Sequence, residues 1–146
     1  MELLEKSKLR IVEKSMTPVE ALHEVGNFLH EVGSTYKSYT EEMIDSFYTL
    51  GPYFVIAPSI ALAHSKPSSS VIQNDLVLVL CKQPVIFGSK NDPVSLLFGL
   101  CAKEAHGHMD VLMKVGEMLE DQDLVSELSE CETIEQLYNC IHQKTT

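Results

Sequence analysis

The sequence predicts an α/β fold, with strands sandwiched between helices, on three observations. The first half carries two amphipathic segments whose apolar residues recur at helical spacing, the middle switches to short apolar runs, and the last third returns to helical periodicity. The middle runs are nearly continuous in hydrophobicity, not alternating. Such strands are covered on both faces, whereas a one-sided antiparallel sheet would show polar residues at every second position.

The elements follow in order. A short strand is expected at residues 9–12, Leu-Arg-Ile-Val. Thr17-Pro18-Val19-Glu20 then has the makings of a capping box. The threonine oxygen can accept an orphan N–H, the glutamate three residues on can reach back, and proline sits where its missing N–H costs nothing. Val19, Leu22, Val25, Phe28, Leu29 and Val32 share one face until Gly33 stops the helix. Thr40-Glu41-Glu42 signals a second helix with Met43, Ile44, Phe47 and Leu50 inward, ended by Gly51-Pro52. Strands are expected at 53–57, 75–81 and 94–101, each bounded by Pro, Asn, Asp or Lys. The C-terminal third reads as three helices. The first spans 105–119 with Met109, Leu112, Met113 and Val115 on its apolar face, the second spans 121–129, and the third is capped by Thr133 with Gln136 three residues on.

At 146 residues and 16.3 kDa, with 45% hydrophobic and 22% charged residues, the chain is expected to form a single domain over 1–146, and a disordered or collagen-like chain is excluded. Ser68–Ser70 is too short to act as a linker. A net charge of -10 and a pI near 4.9 would repel a polyanion, so no nucleic-acid partner is expected. No apolar run reaches about 18 residues and the N-terminus lacks the order of a signal peptide, which points to the cytoplasm. Cys81, Cys101, Cys131 and Cys140 include no Cys-x-x-Cys pair, so neither a zinc site nor a redox dithiol is written here. Cys81 and Cys101 each end an apolar run and read as small buried hydrophobes, and reduced thiols suit the same compartment.

Six histidines are the candidates for chemistry. His23 and His30 sit on the first helix beside Glu24 and Glu31 and read as solvated or boundary residues, and His142 falls near the chain end, where fraying is expected. His64 differs. It follows an apolar stretch of small residues and precedes Ser65-Lys66-Pro67 and three serines, a setting where hydroxyls, backbone N–H groups and one cation could receive an anion. His106-Gly107-His108 invites a metal reading, but residues i and i+2 of a helix point apart and no His-Glu-x-x-His pattern surrounds them, so no metal is expected. Placement near a helix N-terminus makes an anion contact the better reading for one of the pair.

The segment from Gly51-Pro52-Tyr53-Phe54-Val55-Ile56-Ala57-Pro58 through Ala63-His64-Ser65-Lys66-Pro67 resembles the phosphorylation-site region of enzyme IIA components of the bacterial phosphotransferase system, mannitol/fructose superfamily. That stretch, with Asn91-Asp92-Pro93-Val94, an apolar strand and a helix bearing His108, is most similar to the ascorbate-type branch, and the similarity runs from the helix capped at 17 to the one capped at 133. The resemblance implies a single mixed five-stranded sheet flanked by helices on both faces. It implies a phosphotransferase whose histidine accepts a phosphoryl group from the histidine-containing phosphocarrier protein. The group then passes to a cysteine of enzyme IIB, which serves membrane enzyme IIC in taking up ascorbate or a pentitol-like sugar. By motif match His64 is the acceptor, His108 stabilises the transferring group, Ser65 and Lys66 support the phosphate, and no cofactor is needed.

Three departures stand out. The family motif usually reads Pro-His-Ala-Arg-Pro or Pro-His-Gly-Arg-Pro, so Lys66 replaces an arginine and keeps its charge without the bidentate fork. The serines after Pro67 also lack the acid common in relatives, and Tyr48 falls near the place of the mannitol branch's upstream arginine. The altered motif leaves room for an alternative, a regulatory protein of the same fold whose phosphorylation controls a partner without sugar transport. The residue types suit phosphoryl transfer, which needs an in-line nucleophile and dispersed contacts to the equatorial oxygens more than covalent help.

Overall fold

The structure, a computed structural model, describes residues 3–104 and 109–145. After a 3-10 turn at Lys6–Lys8, the chain runs β1 (Leu9–Val12), α1 (Pro18–Glu31), α2 (Ser38–Leu50), β2 (Val55–Ala57), β3 (Ile60–Ala63), β4 (Asp75–Val85), β5 (Val94–Cys101), α3 (Met109–Leu119), α4 (Gln122–Glu130) and α5 (Ile134–Thr145). The strands form one five-stranded mixed sheet in the order β1-β4-β5-β3-β2. β1 is parallel to β4 and β3 to β5, while β4–β5 and β2–β3 are antiparallel.

Both faces of the sheet are covered, and the central strands show it residue by residue. Val77, Val79 and Cys81 of β4 pack with Leu97 and Cys101 of β5 against α1 and α2. The alternate residues, Leu76, Leu78, Leu80, Leu96, Phe98 and Leu100, pack on the other side with α3, α4 and α5. Two apolar faces make the near-continuous runs of the sequence. Each fully buried leucine or phenylalanine contributes about 1.5–3 kcal/mol relative to exposure, so this double core fixes the sheet between its helices.

The first helix forms as its signals dictate: the Thr17 side chain accepts from the Glu20 N–H and the Glu20 carboxylate accepts from the Thr17 N–H at 2.9 Å. Two glycines let α1 come close to its neighbours. A Cβ on Gly26 would stand 2.3 Å from Thr40 Oγ1 on α2, and one on Gly99 of β5 would stand 2.5 Å from Val25 Cγ2 on α1.

Several local expectations are corrected. α2 begins at Ser38, because Thr40 is buried against α1 and is not free to act as a cap. The strand expected at 53–57 is shorter, and the small-residue stretch after it forms β3, hairpinned back through Pro58-Ser59 with Ser59 at φ +70. Two alanines in four residues mask that strand, since alanine is depleted from sheets. β4 runs on to Val85. Met109 and Met113 are 52% and 62% exposed, while α3 buries Val115 as expected, together with Met118 and Leu119. His142 is half-buried within α5, its ring 4.3 Å from that of Tyr138. The expected start of α3, with His106 and His108, lies outside the described residues.

Candidate functional site

β3 and β5 run parallel, so their C-terminal ends share one edge of the sheet, the edge where open α/β sheets offer crevices for ligands. β3 ends at Ala63, and His64 is the first residue beyond it. Its ring is fixed from two sides. Nδ1 lies 2.7 Å from the Leu62 carbonyl oxygen, which can only accept, so Nδ1 carries a proton, and in the neutral ring the lone pair then lies on Nε2. Among the described residues Nε2 has no partner. Tyr53 packs edge-on against the imidazole at 5.4 Å between centroids, and its hydroxyl donates to the His64 carbonyl.

His64 opens into a groove between the loop and α2. Helix α2 lends Asp45, Ser46, Thr49 and Leu50, and Tyr53, packed on the imidazole, and Lys66 complete the lining. Leu50, expected inward, is 65% exposed because it belongs to this rim. Lys66 is exposed and, among the described residues, is the only cation lining the groove. Tyr48, which falls near the place of the mannitol branch's upstream arginine, is 71% exposed and does not line the groove.

The loop from His64 to Ser70 lies along α2 and is bonded to it at several points. The buried Tyr39 hydroxyl accepts the Ser65 N–H at 2.9 Å and donates to the Leu100 carbonyl at 2.9 Å, joining the loop to the end of β5. Ser65 Oγ stands 3.4 Å from Ser46 Oγ. Ser68 Oγ donates to Glu42 Oε1 at 2.7 Å, Ser70 Oγ donates to Glu42 Oε2, and Ser38 Oγ bonds Ser70 Oγ at 2.6 Å. Burial pushes the Tyr39 and Tyr53 phenols above their ordinary range, so both stay protonated.

Among the expected site residues, the structure brings His64, Ser65 and Lys66 together, while His108 lies outside the described residues. Tyr39, Glu42, Asp45, Ser46 and Tyr53 are partners that sequence reasoning missed. A signal existed: Ser38, Glu42 and Ser46 recur at i, i+4 and i+8 on a helix whose apolar face lies elsewhere, the mark of a polar stripe with a polar neighbour. The cysteines stand apart from the groove. Burial pushes the Cys81 and Cys101 thiols up to about 12, which suits core residues and not nucleophiles.

Comparison with known proteins decides the family. Residues 2–144 match the family model described as phosphoenolpyruvate-dependent sugar phosphotransferase system, EIIA 2. The chain belongs to that family. It is a phosphotransferase component, passing phosphoryl groups between proteins of a sugar phosphotransferase system. The ascorbate-specific EIIA component of Escherichia coli strain K12 is 30% identical over 141 residues, covering 95% of this chain and 92% of that protein. The mannitol-specific cryptic phosphotransferase enzyme IIA component of the same strain is 29% identical over 105 residues, 72% of this chain and 71% of the relative. A solution structure of the latter aligns at 26% identity with a TM-score of 0.83, covering 97% of this chain and 95% of that one. The mannitol enzyme IIA of Escherichia coli, solved in complex with phosphorylated enzyme IIB, shares the fold at 20% identity and a TM-score of 0.81, covering 96% and 97% of the two chains.

Proposed function

We propose that this EIIA-family chain is a phosphohistidine carrier in which His64 Nε2 takes a phosphoryl group from the histidine-containing phosphocarrier protein. The carrier passes it to a cysteine of enzyme IIB, serving uptake of ascorbate or a pentitol-like sugar through membrane enzyme IIC. The observation that carries the reading is the bond from His64 Nδ1 to the Leu62 carbonyl, which holds the imidazole in the tautomer whose Nε2 is a ready nucleophile. The relatives named for ascorbate and mannitol support the sugar class, and the complex with phosphorylated enzyme IIB known for a mannitol-type protein supports the acceptor.

The chemistry follows from the ring. Nε2 attacks the donor's phosphorus in line, an Nε2–P bond forms, and the donor's P–N bond breaks with its electron pair returning to the donor imidazole. The positive charge left on the His64 ring is shared with the Leu62 carbonyl through Nδ1–H, so no proton has to move to stabilise it. Lys66, the Ser65 hydroxyl and His108 are assigned to the equatorial oxygens, where preorganised donors lower the barrier. In the return step a thiolate of enzyme IIB attacks phosphorus and Nε2 leaves with its lone pair restored.

A phosphoenolpyruvate-driven relay rebuilt from purified general components tests this. The expected product is one acid-labile, alkali-stable phosphate per chain, absent in His64→Ala. Retention of label by that variant overturns the assignment.

A further inference from the structure

The bonds between α2 and the loop after His64 form an ordered ladder. Ser65 meets Ser46, Ser68 meets Glu42, and Ser70 meets both Glu42 and Ser38, so as the loop advances its partners step back along α2 by one turn at a time. Glu42 is the only charged rung, and it is half-buried with each carboxylate oxygen taking one serine hydroxyl. Lys66 lies between the Ser65 and Ser68 rungs, and the next residue, Pro67, has its φ fixed by its ring.

We infer that Glu42 is a positioning residue for phosphoryl transfer: by holding Ser68 and Ser70 it fixes the loop along α2 and so sets where the Lys66 ammonium stands at the groove. The inference rests on the reading of His64 as phosphoryl acceptor and names what aims the cation beside it. Two features carry it. Hydrogen bonds to a carboxylate are among the stronger ones, so the Glu42 rung is the one that holds the loop down. And because both Glu42 oxygens are occupied by neutral hydroxyls, the carboxylate is committed to the serines, and among the described residues Lys66 forms no ion pair. A lysine held by its backbone on both sides, with its charge uncompensated, is prepared for an anion that arrives only during transfer.

The test is single-turnover labelling by phosphorylated carrier protein for Glu42→Ala, Glu42→Gln, Ser68→Ala, Lys66→Ala and the double variant Glu42→Ala/Lys66→Ala. Glu42→Ala should slow labelling about tenfold at saturating carrier, as expected for a misplaced catalytic contact. Its half-saturating carrier concentration should stay within about twofold, because uniform binding is untouched. Glu42→Gln keeps one acceptor oxygen and offers an amide to the other serine, which can accept, so it should restore most of the rate. The double variant should be no slower than Lys66→Ala, since residues acting through one another are not additive. The 31P shift of the phosphohistidine should move in Glu42→Ala and Lys66→Ala alike. A parental rate in Glu42→Ala, or multiplied defects in the double variant, overturns the inference. Thermal melts accompany each variant, and if Glu42→Ala does not fold, Ser68→Ala carries the same comparison against Lys66→Ala. Label persisting in His64→Ala would defeat the carrier assignment itself, whereas label confined to His64 with an undisturbed Glu42→Ala rate defeats the role of Glu42 alone.

Discussion

Tyr53 holds His64 twice: its ring stands edge-on to the imidazole at 5.4 Å between centroids, and its hydroxyl donates to the His64 carbonyl. One side chain thus fixes both the ring and the backbone of the residue assigned to carry phosphate. Tyr53→Phe keeps the ring contact and loses the donor, so labelling should slow a few-fold, while Tyr53→Ala loses both and should slow by about tenfold or more. Burial raises the Tyr53 phenol above its ordinary range, so the donor persists at alkaline pH. The ratio of parent to Tyr53→Phe rates should therefore stay flat from about pH 6 to pH 9. A ratio that collapses toward one as pH rises would show that the hydroxyl ionises and that the site is wetter than its packing indicates.

The buried thiols predict how stability responds to alkali. Cys81 and Cys101 have pKa values pushed up to about 12 by burial, against 9.0 for an ordinary thiol. The unfolded chain then gives up these protons first. Above about pH 9 the unfolded state binds fewer protons than the native state, so stability is full below that pH and falls as pH rises toward 12. Urea midpoints at pH 8 and at about pH 10.5 should show the fall. Cys81→Ala begins less stable because it leaves a cavity, but its decline with pH should be shallower than the parent's. An unchanged decline would mean that other groups govern alkaline unfolding. A variant lacking all four cysteines should still take and pass phosphate if it folds, because the receiving thiol is assigned to enzyme IIB.

The contact of α1 with α2 leaves no room for a methyl group at Gly26, where a Cβ would lie 2.3 Å from Thr40 Oγ1 and 2.8 Å from its Cγ2. Gly26→Ala should cost about 1–3 kcal/mol by overpacking, despite alanine's better helix propensity. Thr40 is buried and its hydroxyl has no hydrogen-bond partner among the described residues, so Thr40→Ala removes a desolvated polar group along with the obstruction. The pair Gly26→Ala/Thr40→Ala should recover most of the loss, which denaturant unfolding of the two single variants and the double one will show. Additive losses would place the strain elsewhere.

The layer order was legible because two physical signals agreed: helical periodicity with a capping box at Thr17, and unbroken apolar runs that only a doubly covered sheet requires. β3 was hidden because three of the four residues of Ile60-Ala61-Leu62-Ala63 are alanine or leucine, which favour helices by intrinsic propensity, and its place is set by pairing with β5. Thr40 misled for a related reason. A threonine before two glutamates looks like a cap, and only the approach of α1 shows that it is needed inside. At the site, His64 stood out through its small, polar flanks and its motif. Tyr39, Glu42 and Ser46 did not, since their partners lie well along the chain and become neighbours only when the loop lies down on α2.

Lys66 offers the sharpest test of how the groove treats phosphate. It is the sole cation lining the groove among the described residues, and Asp45 on the same wall is an acid. If the ammonium meets the equatorial oxygens, Lys66→Gln should slow labelling of His64 about tenfold or more, because a preorganised charge is lost where charge is transferred. Asp45→Asn should act in the opposite sense, by removing a repulsion. Lys66→Arg keeps the charge and adds a planar fork, so it should at least match the parent and lengthen the life of the phosphohistidine against hydrolysis. Because Lys66 is exposed, salt should erode its contribution: the gap between parent and Lys66→Gln should narrow as ionic strength rises from about 0.01 M to 1 M, over which the screening length falls from about 30 Å to 3 Å. The carrier protein's own electrostatics also respond to salt, so the decisive quantity is the ratio of the two variants at each salt concentration and not either rate alone. A ratio that does not change with salt would assign Lys66 to packing of the loop, and a faster Lys66→Gln would remove it from the phosphate site.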